Sequence, residues 1–402
     1  MKRGTWTLTD VARGIWQDEF EVTSRRAGAR RGPAWSIRKR TLRGGLTDGV
    51  EVVEVDNGAF AFTVLPTRGM GIWRGAYRGL DVAWNAPVVG PVHPKFVDPG
   101  DRGGLGWLQG FDEVIVRCGL ESNGAPCTDV VVDNNGNRSE VRLPLHGRIA
   151  NLPANRLVVE VLPGDPAELV VTGVVDESML FGPGLRLISR VSTKAGSSVL
   201  SIDDRVENLR AIPSEIELLY HCNFGAPFLE AGSRLVAPAV NVSPRDPRAV
   251  EGIAEYDRYL GPTAGYVEQV YFYELAGARD GRTLAALVNS TGDKAAVVRF
   301  RLDEMPCLTQ WKNTQALADG YVTGLEPGTN YPNPKPFERE RGRVIRLAPG
   351  GSHRARLDLE ILDSARAVSS LEREVAALVG GKSPKVHRVP RPEWSSAARK
   401  RR

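Results

Sequence analysis

Alternation of apolar and polar residues is the feature that most constrains this chain. Glu51-Val52-Val53-Glu54-Val55 and Ala59-Phe60-Ala61-Phe62-Thr63-Val64-Leu65 follow period two, as do residues 156–162 and 168–175. Successive side chains of a strand point to opposite faces, so the pattern suits strands with one face on a core. Residues 184–192 and 198–206 read as a hairpin across Lys194-Ala195-Gly196-Ser197. Further strands are expected at 215–220, 267–274, 283–289, 296–302, 307–312, 343–347 and 353–360. Gly and Pro, 43 and 27 residues, punctuate them throughout. Since no strand–helix–strand alternation is visible, the pattern predicts an all-β sandwich and disfavours a parallel doubly wound sheet.

Two segments break the alternation. Residues 7–18 read as a short helix or arm. Near the other end, Val368, Leu371, Val375 and Leu378 fall at helical spacing, and Gly380-Gly381 supplies a stop. The expected organisation is an N-terminal arm over 1–45, a large β domain over 46–360, a helix over 361–381 and a basic, disordered tail over 382–402. Residues 381–402 hold eight Lys/Arg and one acid, a local charge of +7 against a formal total of +5, so the remainder carries −2. A nearly neutral body argues against a nucleic-acid-binding face. No apolar run approaches the length of a membrane span, and none follows the basic start as a secretory signal would require. Cys118, Cys127, Cys222 and Cys307 are too sparse for a disulfide framework and lack metal-binding spacing. Reduced thiols in a cytoplasmic protein are expected.

Four stretches place chemistry-bearing residues beside predicted strands. In Leu145-His146-Gly147-Arg148, residues two apart share a face of an extended chain, so an imidazole and a guanidinium could converge on one ligand. A surface turn with a satisfied His is the alternative. A strand through Glu217-Leu218-Leu219-Tyr220 leads into His221 and Asn223 and breaks at Gly225-Ala226-Pro227, presenting polar groups at a loop or burying a core His. In the third stretch Trp311 and Lys312 precede Glu326, which lies between Leu325 and Pro327. A desolvated acid there would rise towards the general-base range and Trp311 would stack on a pyranose; an exposed loop acid beside a core Trp is the alternative. Arg68 sits in a glycine-loosened turn at a candidate cleft rim.

Taken in order, these segments resemble the galactose mutarotase-like superfamily, in particular a divergent bacterial branch of aldose 1-epimerase-family proteins. The carrying motifs are Leu65-Pro66-Thr67-Arg68-Gly69, Cys118-Gly119-Leu120 with Gly124-Ala125-Pro126, and Leu145-His146-Gly147-Arg148-Ile149-Ala150-Asn151. Asp204-Arg205-Val206-Glu207-Asn208, Tyr220-His221-Cys222-Asn223-Phe224-Gly225 and Gly324-Leu325-Glu326-Pro327 complete the set. The resemblance implies a β-supersandwich of two large antiparallel sheets, here with a short C-terminal helix. It implies Glu326 as general base, His221 as general acid and His146 as a second site histidine, with acid and base on opposite sides of the sugar hemiacetal. Arg68, Arg148, Asn223, Trp311 and Lys312 are the expected substrate-binding residues. The family's Asn-Arg pair is absent, because Leu152-Pro153 follows Asn151. Arg148 or Arg68 is the candidate for that role, and Asp246 or Asp257 for a sugar-binding acid.

The implied partner is a small-molecule sugar or sugar derivative. Neither nucleic acid nor membrane is expected, and no cofactor; the oligomeric state stays open, a homodimer among the options. Three other readings remain. His146, His221 and Glu326 could form a two-histidine, one-carboxylate metal site. The chain could act as an epimerase, isomerase or lyase at another sugar carbon, or bind carbohydrate without catalysis.

Overall fold

The computed structural model describes residues 3–29 and 32–398. The smaller of its two large sheets has ten strands, in spatial order 234–236, 282–288, 295–301, 352–362, 199–208, 184–194, 168–178, 156–162, 4–10 and 15–16. The larger has fourteen. It runs from 385–386 through 239–244, 269–275, 307–313, 322–328, 214–224, 115–120, 71–77, 60–65, 51–56 and 36–41 to 20–23, with 345–347 and 80–82 paired alongside. The strand pairings are antiparallel except where 385–386 lies parallel to 239–244. The all-β expectation is met in this two-sheet arrangement. No helix among the described residues is long and apolar enough to cross a membrane.

The main core lies between the sheets. Ile216, Leu218, Tyr220, Cys222 and Phe224 enter it from the larger sheet, and Leu187, Val191, Leu200, Ile202, Val206, Leu357 and Leu359 from the smaller. A one-residue slip would turn each of these sets to the wrong face. Burying an aliphatic side chain contributes roughly 1.5–3 kcal/mol, so the alternation specifies the register strongly. In Ser214–Phe224 every residue but Glu215 is buried. This strand is therefore covered on both faces. The covering on its second face includes Trp84, Trp107, Phe111, Leu145 and Ala150.

One polar cluster crosses the core. Arg117 Nη2 donates to Asp204 Oδ1 at 3.1 Å and to Ser189 Oγ at 2.8 Å, and Nη1 donates to the Met70 carbonyl at 2.6 Å. Arg117 Nε also contacts Asp204 Oδ2, which accepts the Tyr220 hydroxyl at 2.8 Å. Arg117 and Tyr220 belong to the larger sheet, Asp204 and Ser189 to the smaller.

Both ends of the chain differ from expectation. Residues 4–10 and 15–16 are strands of the smaller sheet, and 20–23 and 36–41 of the larger, so the N-terminal stretch is woven into both. Of the short helix or arm expected over 7–18, only the turn Val11–Arg13 is helical, because Gly4–Asp10 pairs with Arg156–Leu162 and buries Leu8. Residues 382–398 of the expected disordered tail are docked. Lys385–Val386 hydrogen-bonds to the edge strand 239–244, Trp394 packs 5.4 Å from the Tyr331 ring, and Ser395 is 0% exposed. An edge strand has unpaired backbone groups to offer, and this segment satisfies some of them. Residues 399–402 lie outside the described residues. The helix Ala365–Leu378 starts at Ser364, whose hydroxyl caps the Ala367 amide. It packs Val368, Leu371 and Val375 against Leu284, Ala286, Ala295 and Val297.

Removing one partner of the cross-core ion pair strands a buried charge. Asp204→Asn and Arg117→Met are each expected to destabilise the fold by about 3–5 kcal/mol in urea unfolding. Replacing both with apolar residues of similar volume is expected to recover much of that loss.

Candidate active site

The site lies on the face of the larger sheet turned away from the smaller one. Ile216, Leu218, Tyr220, Cys222 and Phe224 point into the inter-sheet core, which turns Glu217, Leu219, His221 and Asn223 to this other face. Antiparallel register pairs Cys222 with Leu325 and Asn223 with Gly324, so His221 stands across from Glu326. His221 Nε2 is 3.2 Å from Glu326 Oε1, with the two residues 4% and 2% exposed. They lie side by side on neighbouring strands, whereas the sequence reading had them on opposite sides of a substrate. Gly324 leaves them room: a Cβ there would sit 2.6 Å from Glu326 Oε1 and 2.9 Å from His221 Cε1.

Asn223 determines which nitrogen of His221 carries hydrogen. Its amide nitrogen donates to the Glu113 carbonyl at 2.9 Å and to the His221 carbonyl at 3.0 Å. That orients its Oδ1 as the acceptor 2.5 Å from His221 Nδ1. Nδ1 is then protonated, and Nε2 of the neutral ring offers a lone pair to Glu326. Asn223 was expected to bind substrate and instead orients a site histidine. His146 is fixed in the same way, its Nδ1 lying 2.8 Å from the Asn123 carbonyl, which can only accept. Its ring centroid is 5.4 Å from that of His221. His146 has a φ of 58°, a left-handed conformation that costs a non-glycine residue roughly 1–2 kcal/mol. Contacts on both sides hold it there: the His146 amide donates to Gly124 O at 3.0 Å and the Gly119 amide to His146 O at 3.1 Å.

Aromatic rings wall the pair. The Trp311 ring lies 5.3 Å and the Phe111 ring 5.1 Å from His221, and Trp107 is 4.6 Å from His146. Trp311 Nε1 donates to Glu268 Oε2 at 2.7 Å, and Arg245 Nη2 donates to Glu268 Oε1 at 2.9 Å. Arg245 Nε in turn holds Asp246 at 2.8 Å. Arg245, Glu268 and Trp107 were not singled out from the sequence as site residues. Glu268 had no signal of its own in the sequence: the cross-strand pairing of Val270 with Trp311 brings it to the site.

Several expected residues are elsewhere. Arg68 is 1% exposed, and its guanidinium is spent on Glu113 Oε1, the Val92 and Gly110 carbonyls and Asn151 Oδ1 at 2.7–3.1 Å. It braces the loops behind the site and is not placed to bind a substrate. Lys312 follows Trp311 and so points to the opposite face, where Nζ donates to the Glu255 and Arg258 carbonyls. Strand parity separates these two expected neighbours. Asp257 lies on the Lys312 side, its charge acting on that ammonium. Asp246 caps the helical turn Pro247–Glu251 by accepting from the Ala249 amide at 2.9 Å. Arg148 is exposed, and the charge it acts on is that of Glu177. Among the described residues, no group of three His, Cys, Asp or Glu side chains is arranged to hold a metal ion, so the metal-site reading gains nothing here.

A family model described as a domain of unknown function, DUF4432, matches residues 47–361. A provisionally assigned aldose 1-epimerase from Klebsiella pneumoniae subsp. pneumoniae MGH 78578 is 34% identical, with 96% of this chain and 98% of that chain aligned at a TM-score of 0.90. A galactose mutarotase-like protein from Clostridium acetobutylicum shares the fold at 16% identity, with 81% and 98% of the two chains aligned at a TM-score of 0.56. The Slr1438 protein from Synechocystis sp. PCC 6803 does so at 16% identity, 77% and 95% coverage and a TM-score of 0.51. No curated protein matches the chain.

Burial governs protonation in the site. It depresses His146 to about 4, opposed by the bond to Asn123 and the charge of Glu268. Burial and then the neighbouring His146 hold His221 well below its ordinary range, against the bond to Asn223. Burial and then Glu268 raise Glu326 well above the usual carboxylate range, against Arg245. The pair therefore rests as neutral imidazole and protonated acid, sharing one proton. Nitrogen-15 NMR is expected to show both histidines as neutral Nδ1–H tautomers at neutral pH, neither titrating near the ordinary value of 6.5. For His146 the unfolded chain binds the proton first, so its contribution to stability is complete above 6.5 and is lost as pH falls towards about 4. Glu326 acts with the opposite sign, its contribution declining as pH rises past 4.5.

Proposed function

The chain belongs to the DUF4432 family, within the galactose mutarotase-like superfamily, and on that premise we propose that it opens and recloses the ring of a free aldose, interconverting its anomers. The observation that carries this reading is the His221–Glu326 contact at 3.2 Å, buried among aromatic rings, with one proton to share. Glu326 as carboxylate takes the proton of the C1 hydroxyl, and His221 protonated at Nε2 donates to the ring oxygen. The C1–O5 bond breaks with its electron pair on O5, and C1–O1 becomes a carbonyl. Rotation about C1–C2 lets O5 return to the other face, its proton going back to His221 and that of Glu326 to O1. Protons balance over the cycle. O1 and O5 are both bonded to C1, so an acid and a base in mutual contact can serve both from one side.

The resting protonation favours a second assignment of the same two groups. The neutral His221 lone pair would take the C1 hydroxyl proton while the Glu326 O–H donates to O5. A complex with a 1,5-anhydro sugar separates the two, because His221 Nε2 carries hydrogen only in the first.

The charges around the pair suit an uncharged sugar. Arg245 is held by Asp246 and Glu268, Arg68 is consumed by the scaffold and Lys312 faces away. A phosphate or carboxylate would add negative charge beside Glu268, whose bonded cation, Arg245, is already shared with Asp246. Trp311 offers a ring face for stacking on the pyranose.

An NMR saturation-exchange screen of free sugars is expected to show accelerated exchange between α and β anomeric protons for uncharged aldoses. Glu326→Gln and His221→Asn should each slow it by roughly 10²–10⁴-fold. Binding without acceleration would overturn the reading in favour of a carbohydrate-binding protein. Solvent deuterium entering at C2 would point to chemistry at another carbon.

A further inference from the structure

Glu217 lies four residues before His221 on the same strand and the same face, fully buried and outside the chemistry just described. Its Oε2 accepts the Asn123 backbone amide at 3.0 Å and its Oε1 accepts Asn330 Nδ2 at 2.9 Å. Asn330 Oδ1 takes Asn123 Nδ2 at 2.9 Å, closing a ring of three buried polar side chains. The Asn123 carbonyl then faces His146 Nδ1 at 2.8 Å. Asn123 is thus gripped at its backbone amide, side chain and carbonyl.

The surrounding backbone allows little slack. A Cβ at Gly124 would fall 1.9 Å from the Asn333 carbonyl oxygen, and one at Gly147 2.1 Å from that of Ser122. Three chain segments, around 119–124, 145–148 and 330–333, are therefore pressed together. Glu217 bonds directly to the first and the last of them.

We propose that Glu217 is a positioning residue for His146. Acting through Asn123, it fixes the tautomer and location of that ring, so that the one strand 214–224 orients both site histidines. His221 is set by Asn223 two residues after it, and His146 by Glu217 four residues before His221. With its Nδ1–H committed to Asn123, His146 presents Nε2 to the site as an acceptor, suited to a sugar hydroxyl. This last role rests on the function proposed above; the effect of Glu217 on His146 does not.

Glutamine at position 217 provides a direct test. Either protonation state of Glu217 leaves both oxygens able to accept, whereas the amide nitrogen of Gln cannot, so one N–H, of Asn123 or of Asn330, faces another donor. In Glu217→Gln, nitrogen-15 NMR of labelled histidine is expected to show His146 leaving the single Nδ1–H tautomer for a mixture, with His221 unchanged. On an aldose that the wild type interconverts, KM should rise more than kcat falls, with kcat/KM lower by on the order of 10²-fold. If Glu217→Gln does not fold, Asn330→Ala, which removes one arm of the ring, should shift the His146 resonances in the same direction.

An unchanged His146 tautomer in a folded variant would overturn the proposal and leave Glu217 with a purely structural role. An Nε2–H tautomer of His146 in the wild type would overturn it without any variant. Both readouts need no substrate. Absence of anomer exchange would count against the proposed function and leave the tautomer result standing.

Discussion

The ion pair between Arg117 and Asp204 is the interaction on which the arrangement of the sheets depends. Burying it is costly, since both charges leave water, and the cost is offset only because nearly every remaining donor and acceptor finds a partner. Ser189, Met70 and Tyr220 are those partners, drawn from both sheets. The geometry is demanding, and that makes it a register device. Arg117 pairs across the ladder with Tyr220, the neighbour of His221, while Val116 pairs with His221 itself. A shift of either strand would break the polar cluster on one face and misplace the site histidine on the other.

The same parity explains why the site is buried. The strand 214–224 is sandwiched between the inter-sheet core and a second apolar cluster containing Trp107, Phe111 and Leu219. His221 and Glu326 are embedded in that second cluster, so both are driven towards their neutral forms. Neutral partners in contact share a proton with no charge to solvate. Around them, side-chain and backbone carbonyls of Asn223 and Asn123 occupy each Nδ1, leaving each Nε2 as the nitrogen without hydrogen. Glu268 and Arg245 set the charge at the rim, where each largely cancels the other.

Most of the fold was legible in the alternation, because residues such as Leu200, Ile202 and Leu218 repeat at the spacing of a half-buried strand. The ends were less so. Gly4–Asp10 and Lys385–Val386 are short, and each is a strand only because a long partner or an exposed edge lies ready to receive it. Of the residues expected to act together, His221, Glu326, His146 and Trp311 do lie together, and the first three sit in recognisable motifs. Arg68 and Lys312 were misplaced for separate reasons. Lys312 is adjacent to Trp311 in sequence, which on a strand means opposite faces. Arg68 stands in a turn that looks exposed, but Glu113, Gly110 and Val92 close over it from segments distant along the chain.

What the sequence alone determined is therefore the strand content, the β-sandwich class and the residue types available for acid–base chemistry, all of which follow from local periodicity and short motifs. The tertiary structure decided which of these residues meet. It placed His221 against Glu326 through cross-strand register, brought Glu268 and Arg245 beside Trp311, and tied up Arg68, Asn223 and Glu217 in buried hydrogen bonds. Those outcomes depend on hydrogen bonds and burial between segments as much as 207 residues apart (Asn123 and Asn330 are that pair). No window of the sequence contains both partners, and the direction of a buried side chain is set by the neighbours that desolvate it.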